Sequence, residues 1–279
     1  GIMITGSHNP PEYNGFKIVI DDKTLSTDDI QALYKRIIKK EYLIGKGGMS
    51  NSDLKPAYLE KIYSDIKLAR PIRVAIDCGN GAASVCAEEL YKGIGAQVES
   101  LFCNIDGSFP NHHPDPSNLK NLVSLQEALL KGESELGLAF DGDGDRLGVV
   151  TKKGEIIFPD RQLLLFAEDV LKKNPGASII FDVKSTRHLF SWIEDRGGIP
   201  IMWKTGHSLI KAKMKESKAI LAGEMSGHMF FNDRWYGFDD AVYAGARLIE
   251  ILSHFDNPSE ILEALPKSFS TPELNINLK

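Results

Sequence analysis

The chain has 279 residues, 42% hydrophobic and 25% charged, which is long for one domain and excludes a disordered chain. A formal net charge of -5 and a pI near 5.8 argue against a general nucleic-acid binder, although a local basic pocket could still hold phosphate. No apolar run reaches the roughly 18 residues that span a bilayer, nothing resembles a signal peptide, and three cysteines (Cys78, Cys86, Cys103) without C-x-x-C spacing read as reduced thiols of a cytoplasmic protein.

In chain order, GIMIT reads as a strand ending at Gly6, and a second apolar run covers 16–20 after the loop holding Pro10 and Pro11. STDDIQALYKRIIKKEY predicts a helix with Ser26 as N-cap, acidic residues first and basic ones last. Ile30, Leu33, Tyr34 and Ile37 would be its buried stripe. GKGGMSNSD is a Gly/Ser-rich break at or near a domain boundary. Strands follow at 73–77, 96–102 and 136–140, with helices at 83–92 and 118–131 between them. From about residue 155 the pattern recurs: a helix in RQLLLFAEDVLKK, a strand at 178–182, a helix in RHLFSWIEDRG, a strand at 200–203, a helix in SLIKAKMKES and a strand at 219–222. AIDCGNGA and IFDVKST then occupy equivalent positions, as do LAFDGDGDR and ILAGEMSGH. Alternation of this kind predicts an α/β fold of successive three-layer modules with mixed sheets, binding ligands beyond the strands' carboxyl ends. The abrupt start on a strand-like run and the stop on ELNINLK read as a fragment.

Three loops carry the chemistry. In DGDGDR, Asp141, Asp143 and Asp145 alternate directly after an apolar strand. Their mutual repulsion is relieved by a hard divalent cation such as Mg²⁺, and the glycines let the backbone aim all three at it. An EF-hand is excluded, because its glycine position holds Arg146 and its last ligand position holds Lys152. A phosphatase with Asp141 as nucleophile stays open, with Asp145 counting against it. In GEMSGH, Glu224, Ser226 and His228 alternate along what would be an extended segment, a spacing suited to sugar hydroxyls. In TGSHNPP, Ser7 and His8 are neighbours whose side chains need not face each other, and without a G-x-S-x-G elbow acyl transfer is rejected.

In this order and spacing, the three loops resemble those of the α-D-phosphohexomutase family. TGSHNPPEYNGFK is similar to its phosphoserine loop, DGDGDR to its metal loop and GEMSGH to its sugar loop, the last most like the phosphomannomutase/phosphoglucomutase members. The likeness extends through DVKST and TGHS. It implies reversible phosphoryl transfer between the 1- and 6-positions of mannose and/or glucose phosphates, through phosphoserine and a hexose 1,6-bisphosphate. Ser7 would carry the phosphoryl group, and Mg²⁺ would sit between it and Asp141, Asp143 and Asp145. Arg146 would steady the transferring group. Lys17, His8 and His207 are the proton-transfer candidates, Lys17 first, although Lys17 could be a solvated strand residue and His207 a helix cap. Lys184, Gly206 and His207 would line the substrate crevice, with Glu224 and Ser226 on the 3- and 4-hydroxyls and His228 nearby.

Arg187, His188, His112, His113, Trp203 and Trp235 are left to structure and packing. The resemblance further implies that 1–52 is the C-terminal part of a first domain, 53–154 a second, 155–267 a third, and 268–279 the start of a linker to a fourth. A chain so divided would be weakly active or inactive. Two other classes are carried forward, a noncatalytic sugar-phosphate-binding protein and a Mg²⁺-dependent phosphatase. No nucleic-acid or membrane partner is expected, and the sequence is silent on oligomeric state.

Overall fold

The computed structural model describes residues 1–268 apart from 8, 10, 11 and 22, so His8 and nearly all of the expected linker at 268–279 lie outside the described residues. The chain begins with a small antiparallel sheet of β1 (Ile2–Ile4), β2 (Phe16–Ile20) and β3 (Lys23–Thr24). Lys17 on β2 lies opposite Met3 on β1. Helix α1 (Thr27–Ile38) starts after Ser26, whose N–H donates to the Asp29 carboxylate at 3.4 Å. Its expected buried stripe is not buried. Leu33 is half-buried, while Ile30, Tyr34 and Ile37 are 38%, 58% and 56% exposed. The amphipathic pattern specifies a face suited to cover, and among the described residues nothing covers it.

Helix α2 (Lys55–Asp65) leads into β4 (Arg73–Asp77), α3 (Ala87–Gly93), β5 (Gln97–Leu101), α4 (Val123–Lys131) and β6 (Leu136–Phe140). β7 (Leu147–Thr151) and β8 (Ile156–Ile157) complete the sheet, in the order β5-β4-β6-β7-β8. The first three strands are parallel, and β7 and β8 return antiparallel. A six-residue loop is too short for a parallel crossover, so the chain after β6 can only double back.

The second half repeats the plan with α5 (Pro159–Lys173), β9 (Ser178–Asp182), α6 (His188–Glu194), β10 (Ile199–Trp203), α7 (His207–Ser217), β11 (Leu221–Gly223) and β12 (Met229–Phe231). The order β10-β9-β11-β12, with β12 antiparallel, matches β5-β4-β6-β7 strand for strand. Helices α8 (Ala241–Leu252) and α9 (Pro258–Glu263) follow. α8 packs against β6, β7 and β12, and one hydrophobic core runs through Leu138, Phe140, Phe231 and Leu248 across both sheets. Among the described residues no helix is long and apolar enough to cross a membrane.

Candidate active site

The repeat places two loops side by side. The 141–146 loop joins β6 to β7, and the 224–228 loop joins β11 to β12. Each closes the same way: Gly144 N–H donates to Asp141 O at 3.2 Å, and Gly227 N–H to Glu224 O at 3.0 Å, both glycines at positive φ. The second loop is therefore a closed turn rather than the extended segment its alternation suggested, because glycine at φ +106° folds it back. Arg146 and His228 form an isolated bridge, and Leu147 N–H donates to Gly227 O at 3.1 Å, locking the two loops together.

The serine loop closes over them. Ser7 has φ +50°, in the left-handed region that non-glycine residues rarely enter, and its Oγ donates to Asp141 Oδ2 at 3.3 Å. Thr5 fixes it: its Oγ1 accepts from Ser7 N–H at 2.8 Å and donates to Asp143 Oδ2 at 2.9 Å. Gly142 is required here, since a Cβ would collide with the Ser7 carbonyl oxygen. Lys17 reaches across from β2, with Nζ 2.8 Å from Asp143 Oδ2 and 2.6 Å from Asp145 Oδ2.

Electrostatics separates these groups. Burial raises the Asp141 carboxyl well above its ordinary value, and the neighbouring Asp145 and Asp143 raise it further. Burial alone would also raise Asp145, but His228 and Lys17 hold it below its usual range. Burial acts to lower Lys17, yet Asp145 and Asp143 outweigh it, so Lys17 is a firm cation clamped on carboxylates. His228 is pushed up to about 9: burial opposes its charge, and Asp145 at 3.3 Å and Glu224 at 3.1 Å overcome that. As an imidazolium, His228 cannot accept from Arg146 Nε, which lies 3.4 Å from its Nε2, so we read that approach as a packing contact. Ser226 Oγ lies 2.8 Å from His228 Nδ1 and can accept from it.

The three aspartates suit a hard divalent cation. One oxygen from each lies within 4.8 Å of the others, and Asp143 Oδ1 is buried with no hydrogen-bond partner among the described residues. An all-oxygen donor set excludes a preference for softer metals.

Gly206, at φ +130°, donates its N–H to Glu224 Oε1 at 2.5 Å, which brings His207 onto the same loop cluster. Lys184 stands apart, in the wall of a cleft of about 1250 Å³ with Arg187, His188, Met225 and Ser226. That wall does not include Ser7, Lys17 or the three aspartates, so the expected substrate residues split between the cleft and the loop cluster. Residues that sequence reasoning passed over also converge here. Asp182, at the end of β9, accepts from Ser185 Oγ at 2.6 Å, Thr205 Oγ1 at 3.0 Å and Met225 N–H at 3.3 Å. Its equivalence to Asp77, which ends β4, was the available signal; Asp77 in turn holds His112 at 2.9 Å.

The fold and this loop cluster together define a three-loop α/β site built around a buried acidic turn. Family models for alpha/beta/alpha domains I, II and III of phosphoglucomutase/phosphomannomutase match residues 1–43, 56–154 and 158–269, and the chain belongs to the phosphohexomutase family. It is 59% identical to a phosphoglucomutase of Neisseria gonorrhoeae, over 100% of this chain and 61% of that protein. It is 56% identical to a phosphomannomutase/phosphoglucomutase of Pseudomonas aeruginosa, over 100% of this chain and 60% of that protein. A crystal structure of a phosphoglucomutase/phosphomannomutase family protein from Burkholderia thailandensis superposes with a TM-score of 0.96 at 56% identity, over 97% of this chain and 59% of that one. The chain thus spans about 60% of the length of these relatives.

Proposed function

We propose that the protein interconverts hexose 1-phosphate and hexose 6-phosphate, with mannose and/or glucose as the sugar, through phospho-Ser7 and a hexose 1,6-bisphosphate. The observation that carries this reading is Ser7 itself: held in a strained backbone by Thr5, its hydroxyl lies 3.3 Å from Asp141 at the acidic turn. Asp141, Asp143 and Asp145 would hold Mg²⁺, which when bound offsets phosphoryl charge. The chain's own groups do the rest. Arg146 and Lys17 add positive charge around the transferring group. Lys17, His8 and His207 are the candidates for moving the hydroxyl proton, and the clamped, charged Lys17 must leave its carboxylates before it can accept one. Glu224, Ser226 and His228 read the sugar hydroxyls, with Gly206, His207 and Lys184 alongside. The family likeness supports this assignment, and with it goes a proposed division at 1–52, 53–154 and 155–267, with 268–279 as the start of a linker to a further domain. Three free cysteines are in keeping with a cytoplasmic setting.

A phosphatase using Asp141 fits less well, because its Oδ1 already accepts the N–H groups of Asp145 at 2.9 Å and Arg146 at 3.1 Å. The test is incubation with glucose 1-phosphate and mannose 1-phosphate, following the 6-phosphates, alongside intact-mass measurement after exposure to glucose 1,6-bisphosphate. We expect one phosphate on Ser7, absent in Ser7→Ala, and turnover that is weak for a chain of this span. Phosphate release that survives Ser7→Ala would replace the mutase with the phosphatase.

A further inference from the structure

One pair of buried polar atoms near the loop cluster faces itself without bonding. His207 Nδ1, at the first residue of α7, lies 3.8 Å from Asp239 Oδ2, just ahead of α8, and neither atom has a hydrogen-bond partner among the described residues. At 3.8 Å this is not a hydrogen bond, but orphaned buried atoms are rare, and catalytic contacts commonly tighten when substrate binds. The other oxygen of Asp239 accepts from Lys211 Nζ at 2.9 Å, one turn along α7 from His207, so the carboxylate is tied to the helix that carries the imidazole. Asp239 is 8% exposed and His207 32%, which leaves the histidine ring a face toward solvent. Burial, then the nearby Lys211 charge, holds His207 below its ordinary value, with His228 and Lys17 adding to this and Asp239 opposing it. The ring is therefore neutral near pH 7, and its tautomer decides what it can do.

We propose that Asp239 is a positioning residue that holds His207 as its Nδ1–H tautomer, so that Nε2 is presented as a hydrogen-bond acceptor to a hydroxyl of the sugar phosphate. This rests on the mutase reading above. A carboxylate can only accept, so the proton must sit on Nδ1, and the Nε2 lone pair is left for a ligand. Gly206 connects this geometry to the sugar loop through its bond to Glu224.

The sharpest test is Asp239→Asn. Lys211 can only donate, so it keeps the amide oxygen and turns the amide NH₂ toward His207 Nδ1, which must then accept. Histidine ¹⁵N spectra of the chain, with His207 assigned by the signal lost in His207→Gln, should show Nδ1–H in the unmodified protein and Nε2–H in Asp239→Asn. Adding Lys211→Met frees the amide to turn, and the signal should move back toward Nδ1–H. With glucose 1-phosphate, kcat/KM should fall about 10- to 100-fold in Asp239→Asn at an unchanged unfolding midpoint, and recover in part in the double variant. A merely structural Asp239 would not give that recovery. Nε2–H in the unmodified protein, or a tautomer and kcat/KM indifferent to Asp239→Asn, would overturn the proposal. So would an Nδ1–H signal that appears only with added divalent cation, because Asp239 also lies within ligand distance of Asp145 and His228. An unmodified protein whose Ser7 takes up no phosphate from glucose 1,6-bisphosphate would sink the mutase reading instead, and the spectra would still decide the tautomer.

Discussion

The two large sheets share one strand order, and their loops after β6 and β11 close by the same glycine-dependent turn, yet they hold opposite kinds of chemistry. The 141–146 loop gathers three carboxylates, of which Asp145 and Asp143 raise Asp141, takes the Lys17 cation from β2, and leaves Asp143 Oδ1 without a donor among the described residues. The 224–228 loop carries its own cation, His228, between Glu224 and Asp145. One loop thus draws its cation from a distant strand, and the other carries its cation itself. A duplicated scaffold sets where a loop stands; the residues on the loop decide what it asks for.

The comparison depends on the modules being held in one register, and α8 does this. Arg247 is fully buried; its Nη1 and Nη2 donate to Asp233 at 2.9 and 3.0 Å, and Nη2 also reaches Asp169 on α5 at 3.2 Å. Removing it would strand the Asp233 carboxylate, 4% exposed, without its partner. Arg247→Ala should cost about 3–5 kcal/mol, read from urea midpoints. All of these partners lie in the second half of the chain, so a loss below about 1 kcal/mol would show that the packing of α8 onto that half does not depend on this arginine.

Asp240 caps α8 by accepting from Tyr243 N–H at 2.9 Å, and Tyr58 of α2 donates to the same carboxyl at 3.1 Å. Burial pushes Asp240 from 3.8 up to about 6. Its folded form therefore binds a proton more tightly than its unfolded form. That contribution is fully present below pH about 4 and is lost as pH rises through about 6, up to about 3 kcal/mol. Asp240→Asn keeps the cap and removes the titration. The difference in stability between Asp240→Asn and the unmodified protein should grow from pH 4 to 6.5; a difference independent of pH would refute the burial argument.

Much of the packing around α8 could not be read from the sequence. α8, AVYAGARLIEIL, carries its two charges, Arg247 and Glu250, on one face, and that face is buried, so its polar stripe does not mark solvent. β7 follows the acidic loop without a turn signal of its own, and β12 is only three residues long. The strands at 73–77 and 178–182 were legible to the residue because each is a short apolar run ended by Asp and a polar loop. The loop residues were legible as local motifs. Thr5 and Asp239 were not, because their roles arise only where segments distant in sequence meet, whereas Asp182 was marked by ending its strand as Asp77 does. The α1 stripe errs the other way: its pattern is real, and its cover is not among the described residues.

The smallest effects should separate the two loops most cleanly. Burial and the neighbouring carboxylates disfavour the charged form of Asp141, and an asparagine oxygen can still accept the N–H groups of Asp145 and Arg146. In chelator, Asp141→Asn should therefore shift stability by less than about 1 kcal/mol in either direction. Glu224→Gln keeps an acceptor for Gly206 but leaves buried His228⁺ with one carboxylate fewer, and should cost about 1–3 kcal/mol. Adding Mg²⁺ at about 100 times its Kd should raise the stability of the unmodified protein and of Glu224→Gln alike, by about 2.7 kcal/mol, and that of Asp141→Asn by much less. Equal Mg²⁺ responses in all three proteins would mean that the acidic turn is not the cation site. A chelator penalty for Asp141→Asn as large as that for Glu224→Gln would refute the argument that burial and its neighbours disfavour the Asp141 charge.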